Sequence, residues 1–231
     1  MEGLCVVALE QTAGRGRQQR SWASPKGAGL YLSIVLRPRI ELEAWPLITL
    51  MTSLAVADAL LDADELQADI KWPNDLIVNG RKLAGILTET IETDQGRVAI
   101  VGIGINLGSN ALPDDLRESA TSVEEVTGHA PDAEELLRHL LLSFSRRYDA
   151  FHQPSGLEEM SQEWTSRSSY ARGRKVRISL ETEIVEGMTS GLASDGALRV
   201  ETDTGEIILV RAGDVTAAGA APTEWRPYKD A

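Results

Sequence analysis

Hydrophobic positions divide the chain into strand-like and helix-like segments. Residues 5–9 form a short apolar run and residues 97–108 a longer β-branched run, and both predict β-strands. Residues 46–61 are apolar and rich in helix formers, so we expect a helix buried behind a sheet. Residues 131–151 predict a second helix, whose core-facing stripe comprises Leu137, Leu140, Leu141, Phe144 and Tyr148.

The Asn-Gly dipeptide at residues 79–80 separates two apolar runs and is typical of a two-residue β-hairpin turn. Side-chain alternation from such a turn places Lys82 on the same face as Asp75 and Ala84. If that face borders a pocket, Lys82 is a positioned cation. If it faces water, Lys82 and Asp75 form a weak salt bridge. The spacing leaves both interpretations open.

Helical spacing ends near Tyr170, and short β-rich runs follow it. These runs cover residues 176–180, 198–201 and 207–210, with Asp-Gly at 195–196 and Thr-Gly at 204–205 as turns. We therefore predict two domains, a larger one over residues 1–170 and a small β-barrel or sandwich over residues 171–231.

Composition narrows the class of protein. A chain of 231 residues with 42% hydrophobic content can bury a core, and its net charge of −12 argues against generic binding to nucleic acid. The single cysteine, Cys5, excludes a disulfide framework within the chain and favours a reducing, cytoplasmic setting. The longest uncharged apolar stretch, residues 44–57, is too short to span a bilayer, so we expect no membrane partner.

A cationic, glycine-rich segment follows the first strand. Residues 11–40 contain six Lys or Arg and no acidic residue, although the whole chain is acidic. Arginines can form paired hydrogen bonds to phosphate or carboxylate oxygens, and Trp22 can stack on a planar ring. The simpler interpretation is a solvated loop whose arginines pair with acidic residues elsewhere. The clustering and the missing acids favour an anionic ligand.

Two alternate glycines, Gly102 and Gly104, interrupt the β-branched run and lie on one face of the predicted strand together with Asn106. Glycine weakens a strand interior, so the pair indicates close approach of a ligand or another backbone. Tight packing or a bulge explains the pattern equally well.

Four blocks together resemble the signature of the biotin protein ligases, in the order in which that family has them. The resemblance covers nearly the whole chain. The blocks are Gly-Arg-Gly-Arg-x-x-Arg-x-Trp-x-Ser-Pro-x-Gly-x-x-Leu-Tyr at 14–31, Lys-Trp-Pro-Asn-Asp at 71–75, Arg-Lys-Leu-Ala-Gly-Ile-Leu at 81–87 and Gly-Ile-Gly-Ile-Asn at 102–106. The resemblance implies an α+β fold, in which helices pack on a mixed β-sheet like that of class II aminoacyl-tRNA synthetases, followed by a small SH3-like β-barrel.

The resemblance also implies an activity and a set of site residues. Biotin would react with ATP, supplied with Mg²⁺, to give an adenylate, and a lysine of a biotin carboxyl carrier protein domain would then accept the biotinyl group. Lys82 and Arg17 would be catalytic, and Asp75 would lie near magnesium. Biotin would contact Gln11, Arg15, Gly16, Arg17, Lys82, Gly102 and Gly104. ATP would contact Arg17, Arg20, Trp22, Asn74, Lys82 and Asn106.

One departure from the family keeps alternatives open. Members carry a Ser-Thr-Asn block before the glycine-rich segment that helps to bind the ureido group of biotin, and the residues before Gln11 contain none. We therefore expect either that this reading frame starts late or that one wall of the biotin pocket is absent or replaced. The alternatives are a truncated, non-catalytic relative that binds biotin or a nucleotide, and an enzyme like the lipoate ligases. Family members are often dimers, so a homodimer is a further expectation, whereas a DNA partner is not.

Overall fold

The computed structural model describes residues 2–180 and 182–217, and six strands build the sheet of its first part. The strands are β1 (Cys5–Ala8), β2 (Gly29–Leu36), β3 (Asp69–Lys71), β4 (Asp75–Val78), β5 (Arg81–Thr93) and β6 (Gly96–Asn106). They are ordered β1-β2-β6-β5-β4-β3, and all neighbours are antiparallel. The expectation of a mixed sheet was wrong, because every neighbouring pair is antiparallel. Short turns reverse the chain between β3, β4, β5 and β6, and β1 and β2 also pair antiparallel across the longer glycine-rich loop.

The predicted hairpin turn joins β4 to β5. Asn79 and Gly80 both have positive φ, 52° and 78°, as a turn of type I′ requires. Val78 pairs with Arg81, and Ile77 pairs with Lys82, so the predicted register beside the turn is confirmed.

Four helices accompany this sheet: α1 (Pro46–Asp64), α2 (Val123–Thr127), α3 (Ala133–Phe151) and α4 (Gly156–Arg167). The predicted buried helix is confirmed as α1, which has the length and hydropathy of a membrane span within Leu42–Asp64 but is mostly buried in the protein core. Asp132 caps α3 by accepting hydrogen bonds from the backbone of Glu134 and Glu135. In the predicted stripe of α3, Leu140 and Phe144 are buried, while the other three residues are partly buried against the core.

A charged cluster joins three of the helices. Asp58 of α1 accepts hydrogen bonds from Ser143 and Arg147 of α3 and from Arg167 of α4, at 2.6 to 2.7 Å. Both terminal nitrogens of Arg147 also donate hydrogen bonds to the carboxylate of Glu163 in α4. The helices are therefore connected by charge-assisted hydrogen bonds as well as by apolar packing.

Five further strands form a second antiparallel sheet. They are β7 (Arg172–Ser179), β8 (Ile184–Leu192), β9 (Leu198–Glu201), β10 (Ile207–Val210) and β11 (Asp214–Ala217), ordered β10-β9-β8-β7-β11. Gly196 and Gly205 lie at the predicted turns with φ of 82° and 81°. Residues 218–231 of the predicted second domain lie outside the described residues.

The second sheet packs against the first part of the chain through a shared apolar core. The indole of Trp72, which is 2% exposed, donates a hydrogen bond of 3.1 Å to the carbonyl of Gly196 in the β8–β9 turn. This contact fixes the second sheet beside the Lys-Trp-Pro-Asn-Asp block.

Candidate active site

A cleft of about 960 Å³ opens on the face of the first sheet that carries Gly85 and Gly104. Its walls come from four parts of the chain. They are the glycine-rich loop after β1, strands β2 to β6, the segment 112–120 and the residues Gly213–Thr216 of the second sheet. The volume is large enough for a drug-sized ligand or a nucleotide. Every site residue predicted from the sequence lines this cleft.

The glycine-rich loop folds back on itself at the rim of the cleft. Arg15 and Ser21 form a β-bridge, and the amide of Trp22 donates to the carbonyl of Gly14 at 2.8 Å. A Cβ atom on Gly14 would lie 2.3 Å from the Trp22 carbonyl, so this close approach requires glycine. Gln11 accepts a hydrogen bond of 2.9 Å from Ser24, which ties its amide to the same loop.

The indole of Trp22 lies over the paired glycines Gly85 and Gly104. A Cβ on Gly104 would be 2.6 Å from the ring, whereas a Cβ on Gly102 would have no neighbour closer than 3.5 Å. Gly104 therefore makes room for Trp22, and the indole occupies space that the glycine pattern indicated for a ligand. The ring nitrogen of Trp22 is buried without a hydrogen-bond partner among the described residues.

Lys82 and Asp75 lie together in the cleft. This placement agrees with the interpretation in which their face borders a pocket. Their Nζ and Oδ1 atoms are 2.6 Å apart, and Lys82 also lies 5.3 Å from the centroid of the Trp22 ring. The side chains are 33% and 20% exposed, so the pair is neither buried nor freely solvated. The prediction that Ala84 shares their face was wrong, because the register shifts beyond Lys82 and turns Ala84 into the core.

Two arginines bring further positive charge to the cleft. Arg17 donates a hydrogen bond of 3.2 Å to the side-chain oxygen of Asn74, which in turn donates to the Ile86 carbonyl at 2.9 Å. Burial lowers the pKa of Arg17, while the nearby carboxylates of Asp214 and Asp75 act in the opposite direction. Asn74 therefore provides a neutral acceptor that orients the guanidinium.

Arg20 crosses to the second sheet. Its two terminal nitrogens bond the two carboxylate oxygens of Asp214 at the start of β11, one of them at 2.9 Å. Paired geometry of this kind fixes the plane of the guanidinium. The second sheet thus contributes a side chain to the same cleft.

The remaining predicted residues border the cleft less centrally. Arg15 forms an ion pair of 2.9 Å with Glu89, but its side chain is 70% exposed. Asn106 is buried and donates to the carbonyl of Thr121 at 3.0 Å. The six cations of residues 11–40 do not all gather here, because Arg37 instead bonds Gln95 on the β5–β6 turn.

Lys71 and Asp214 are among the cleft residues that the predicted set lacked. Lys71 belongs to the Lys-Trp-Pro-Asn-Asp block, so the block itself was a signal that could have included it. Asp214 is 194 residues from Arg20 and carries no local pattern that points to the cleft.

Asp75 is suited to a metal ion that arrives with a substrate rather than to a resident one. Among the described residues no group of three or more His, Cys, Asp or Glu side chains could hold a metal. The Oδ1 atom of Asp75 is buried and has Lys82 as its ionic neighbour. Mg²⁺ bound to ATP keeps phosphate and water ligands and needs only one or two protein carboxylates.

Comparisons with known proteins agree with this geometry. The family described as Biotin/lipoate A/B protein ligase family matches residues 1–106, and the biotin protein ligase C-terminal domain matches residues 173–216. The chain is 40% identical to the bifunctional ligase/repressor BirA of Bacillus subtilis over 88% of its own length, but spans only 63% of that relative.

Two further proteins are matched over most of their length. A biotin--[acetyl-CoA-carboxylase] ligase of Paracoccus denitrificans is 35% identical over 88% of this chain and 86% of its own. The biotin protein ligase of Aquifex aeolicus in complex with biotin and ATP superposes with a TM-score of 0.83 and 32% identity, covering 94% of this chain and 90% of that one. The chain therefore belongs to the biotin protein ligase family.

Proposed function

We propose that this protein activates biotin with ATP and transfers the biotinyl group to a lysine of a biotin carboxyl carrier protein domain. The observation that carries the proposal is the placement of Lys82, which lies beside Asp75 and over Trp22 in a cleft that Arg17 and Arg20 also border. Cations from separate chain segments and one aromatic ring line the same cleft, an arrangement suited to two anions and a planar base.

The proposed reaction has two steps. A carboxylate oxygen of biotin attacks the α-phosphorus of ATP, the bond to the β-phosphate oxygen breaks, and pyrophosphate leaves. The amine of the acceptor lysine then attacks the carbonyl carbon of the mixed anhydride, AMP leaves, and the amine loses a proton as the amide forms. Neither step requires a nucleophile from the enzyme.

The side chains of the cleft would act by position and charge. Lys82 would contact the biotin carboxylate and the α-phosphate, and Arg17 would neutralise charge that grows on the phosphate in the transition state. Arg20, Trp22, Asn74 and Asn106 would bind the nucleotide, and Mg²⁺ would enter with ATP beside Asp75. Gln11, Arg15 and Gly16 would border biotin.

The family assignment supports biotin rather than lipoate, since the matched C-terminal domain and the relatives described above are named for biotin ligases. The five short antiparallel strands of the second sheet support an SH3-like barrel, and the helix-backed antiparallel sheet supports a domain like that of class II synthetases. We also propose a cytoplasmic setting, which the single cysteine supports. A homodimer stays a prediction.

Biotin-dependent exchange of pyrophosphate into ATP tests the first step. We expect Lys82→Ala to lower the exchange rate roughly 100-fold or more, as does loss of a single transition-state donor elsewhere. Arg81→Ala is the matched control, because Arg81 is the neighbouring residue and its guanidinium bonds Glu125 and the Arg117 carbonyl outside the cleft. Wild-type exchange in a folded Lys82→Ala variant would exclude this role for Lys82.

A further inference from the structure

Ser24 belongs to the first sequence block, but the proposed reaction gives it no role. It lies behind the residues that line the cleft and is 6% exposed. Its hydroxyl is 2.9 Å from Oε1 of Gln11, which does line the cleft. A role for Ser24 in ligand binding therefore has to act through a neighbouring side chain.

The hydroxyl of Ser24 restrains the side-chain amide of Gln11. A serine hydroxyl has a single proton to donate. Gln11 Oε1, at 2.9 Å, is closer to the hydroxyl oxygen than the Trp22 carbonyl, at 3.2 Å. The shorter contact assigns the proton to the amide oxygen of Gln11.

Backbone hydrogen bonds hold Ser24 and Gln11 side by side. The amide of Gln11 donates to the carbonyl of Ser24 at 3.1 Å, and the amide of Gly27 donates to the carbonyl of Leu9 at 3.2 Å. These bonds tie the segment that follows β1 to the last part of the glycine-rich loop. The two side chains are thus brought together by the fold of the loop and do not need a ligand to meet.

Gly14 covers the pair from one side. A Cβ atom on Gly14 would lie 2.8 Å from Oγ of Ser24 and 3.2 Å from Oε1 of Gln11, so the backbone packs directly against both oxygen atoms. A buried polar atom is destabilising unless it is hydrogen-bonded, and Ser24 supplies that bond to the amide oxygen. One end of the Gln11 amide is therefore fixed inside the loop.

We propose that Ser24 is a positioning residue, which holds Oε1 of Gln11 inside the loop and so presents the protons of Nε2 to the ureido carbonyl oxygen of biotin. This inference rests on the proposed function, in which Gln11 borders biotin. A glutamine amide has two orientations, related by a rotation of about 180°, which offer opposite hydrogen-bonding groups to a ligand. Ser24 would select the orientation that requires an acceptor on the ligand.

Calorimetric titrations of the full chain with biotin and with iminobiotin test the orientation of the amide. Iminobiotin has nitrogen in place of the ureido carbonyl oxygen, and in its protonated form this nitrogen donates hydrogen bonds, as an arginine side chain does. We expect the wild type to bind biotin at least about tenfold more tightly than iminobiotin.

Substitution of Ser24 should weaken this preference. In Ser24→Ala the amide of Gln11 can rotate, so we expect the Kd of biotin to rise roughly 2- to 10-fold and the preference for biotin over iminobiotin to fall by a similar factor. Thr12→Ala is the matched control, because Thr12 is the hydroxyl-bearing neighbour of Gln11 but is exposed outside the cleft. Both Kd values should be unchanged in that variant.

A double-mutant cycle separates positioning of Gln11 from general support of the loop. In biotin-dependent exchange, Ser24→Ala should raise the KM of biotin and leave kcat and the KM of Mg-ATP within about twofold of wild type. On a Gln11→Ala background, Ser24→Ala should change the KM of biotin by less than about twofold. Additive effects of the two substitutions would assign Ser24 a structural role and overturn the proposal.

The wild-type protein alone can also overturn the proposal. Tighter binding of iminobiotin than of biotin would show that Oε1 of Gln11 faces the ligand. Failure of the proposed function has a different signature. A protein that binds biotin without biotin-dependent exchange would contradict the proposed activity alone, and the Kd values of the two ligands would still decide the role of Ser24.

Discussion

The indole of Trp22 in the candidate nucleotide site is positioned by its packing against Gly104. Glycine in a strand interior indicates that another group approaches the backbone closely. The sequence alone did not reveal that this group is a side chain of the same protein. The pattern at 102–106 thus pointed to a strand that lines the cleft. The group that fills the space over Gly104 belongs to a loop about 80 residues earlier, whose path no local rule specifies.

Substitution of the two glycines separates their roles. In Gly104→Ala the new methyl group would clash with the ring of Trp22, and we expect the KM of Mg-ATP to rise roughly tenfold, the scale of an overpacked contact. In Gly102→Ala the nearest protein atom is 3.5 Å away, so Trp22 should keep its place and the KM of Mg-ATP should remain close to wild type, whereas the KM of biotin should rise because biotin is expected to contact Gly102. An equal KM of Mg-ATP in both variants would show that the indole is not held against Gly104.

Lys82 shows how far the alternation of side chains along a strand can predict the positions of site residues. The Asn-Gly turn determined the pairing register of β4 and β5 beside Lys82, and the proximity of Lys82 to Asp75 followed from that register. The misplacement of Ala84 arose two residues further on, where an irregularity in the ladder reverses which face each side chain occupies. Short-range patterns therefore predict a residue's face only as far as the next bulge.

At the scale of elements, segments with a distinct apolar pattern were predictable. Helices α1 and α3 agree with the hydrophobic pattern because each buries many side chains, and the four-residue strands β9 and β10 agree with the predicted β-rich runs. Strands β8 and β11 were not predicted, since β8 mixes exposed apolar residues with a buried threonine and β11 has no apolar run. Their pairing partners, rather than their composition, determine them.

The cluster around Asp58 gives a prediction for stability. In Asp58→Asn the guanidinium groups of Arg147 and Arg167 lose a half-buried carboxylate, and we expect the free energy of unfolding to fall by about 3 kcal/mol. Asp62→Asn, on the exposed side of the same helix, should change it by less than about 0.5 kcal/mol. Urea unfolding followed by circular dichroism measures both, and similar values for the two variants would contradict the proposed importance of the cluster.

The same cluster predicts a pH dependence. Burial of Asp58 acts to raise its pKa, but hydrogen bonds from Arg147, Ser143 and Arg167 outweigh burial, and the net direction is downward. A carboxylate with a depressed pKa in the folded state stabilises the fold above its unfolded value of about 3.9. This stability is lost as the pH falls through the folded pKa. Unfolding free energies measured between about pH 6 and pH 2.5 should fall more steeply in the wild type than in Asp58→Asn.

At the scale of the whole molecule, the second sheet completes the cleft. Asp214 reaches Arg20 across 194 residues of sequence, so its participation depends on how the two sheets pack and could not be predicted from local patterns. The contact between Trp72 and Gly196 fixes the same interface. The glycine-rich loop is therefore positioned in part by a separate sheet.

Limited proteolysis measures this coupling. In Asp214→Asn the loop loses its carboxylate contact with the second sheet, and we expect tryptic cleavage after Arg17 and Arg20 to become up to about fivefold faster, the scale of a partly exposed ion pair. Asp195→Asn removes the partner of Arg211 within the second sheet and is the control. Unchanged cleavage in Asp214→Asn would show that the second sheet does not restrain the loop.

The central claim is that the cleft around Lys82 activates biotin and passes it to an acceptor lysine. The most direct measurement mixes the wild-type protein with biotin, Mg-ATP and a biotin carboxyl carrier domain, and follows pyrophosphate release together with the mass of the acceptor. We predict equal amounts of pyrophosphate and biotinylated acceptor, and neither product when biotin is omitted. An acceptor of unchanged mass, with no biotin-dependent release of pyrophosphate, would contradict the claim.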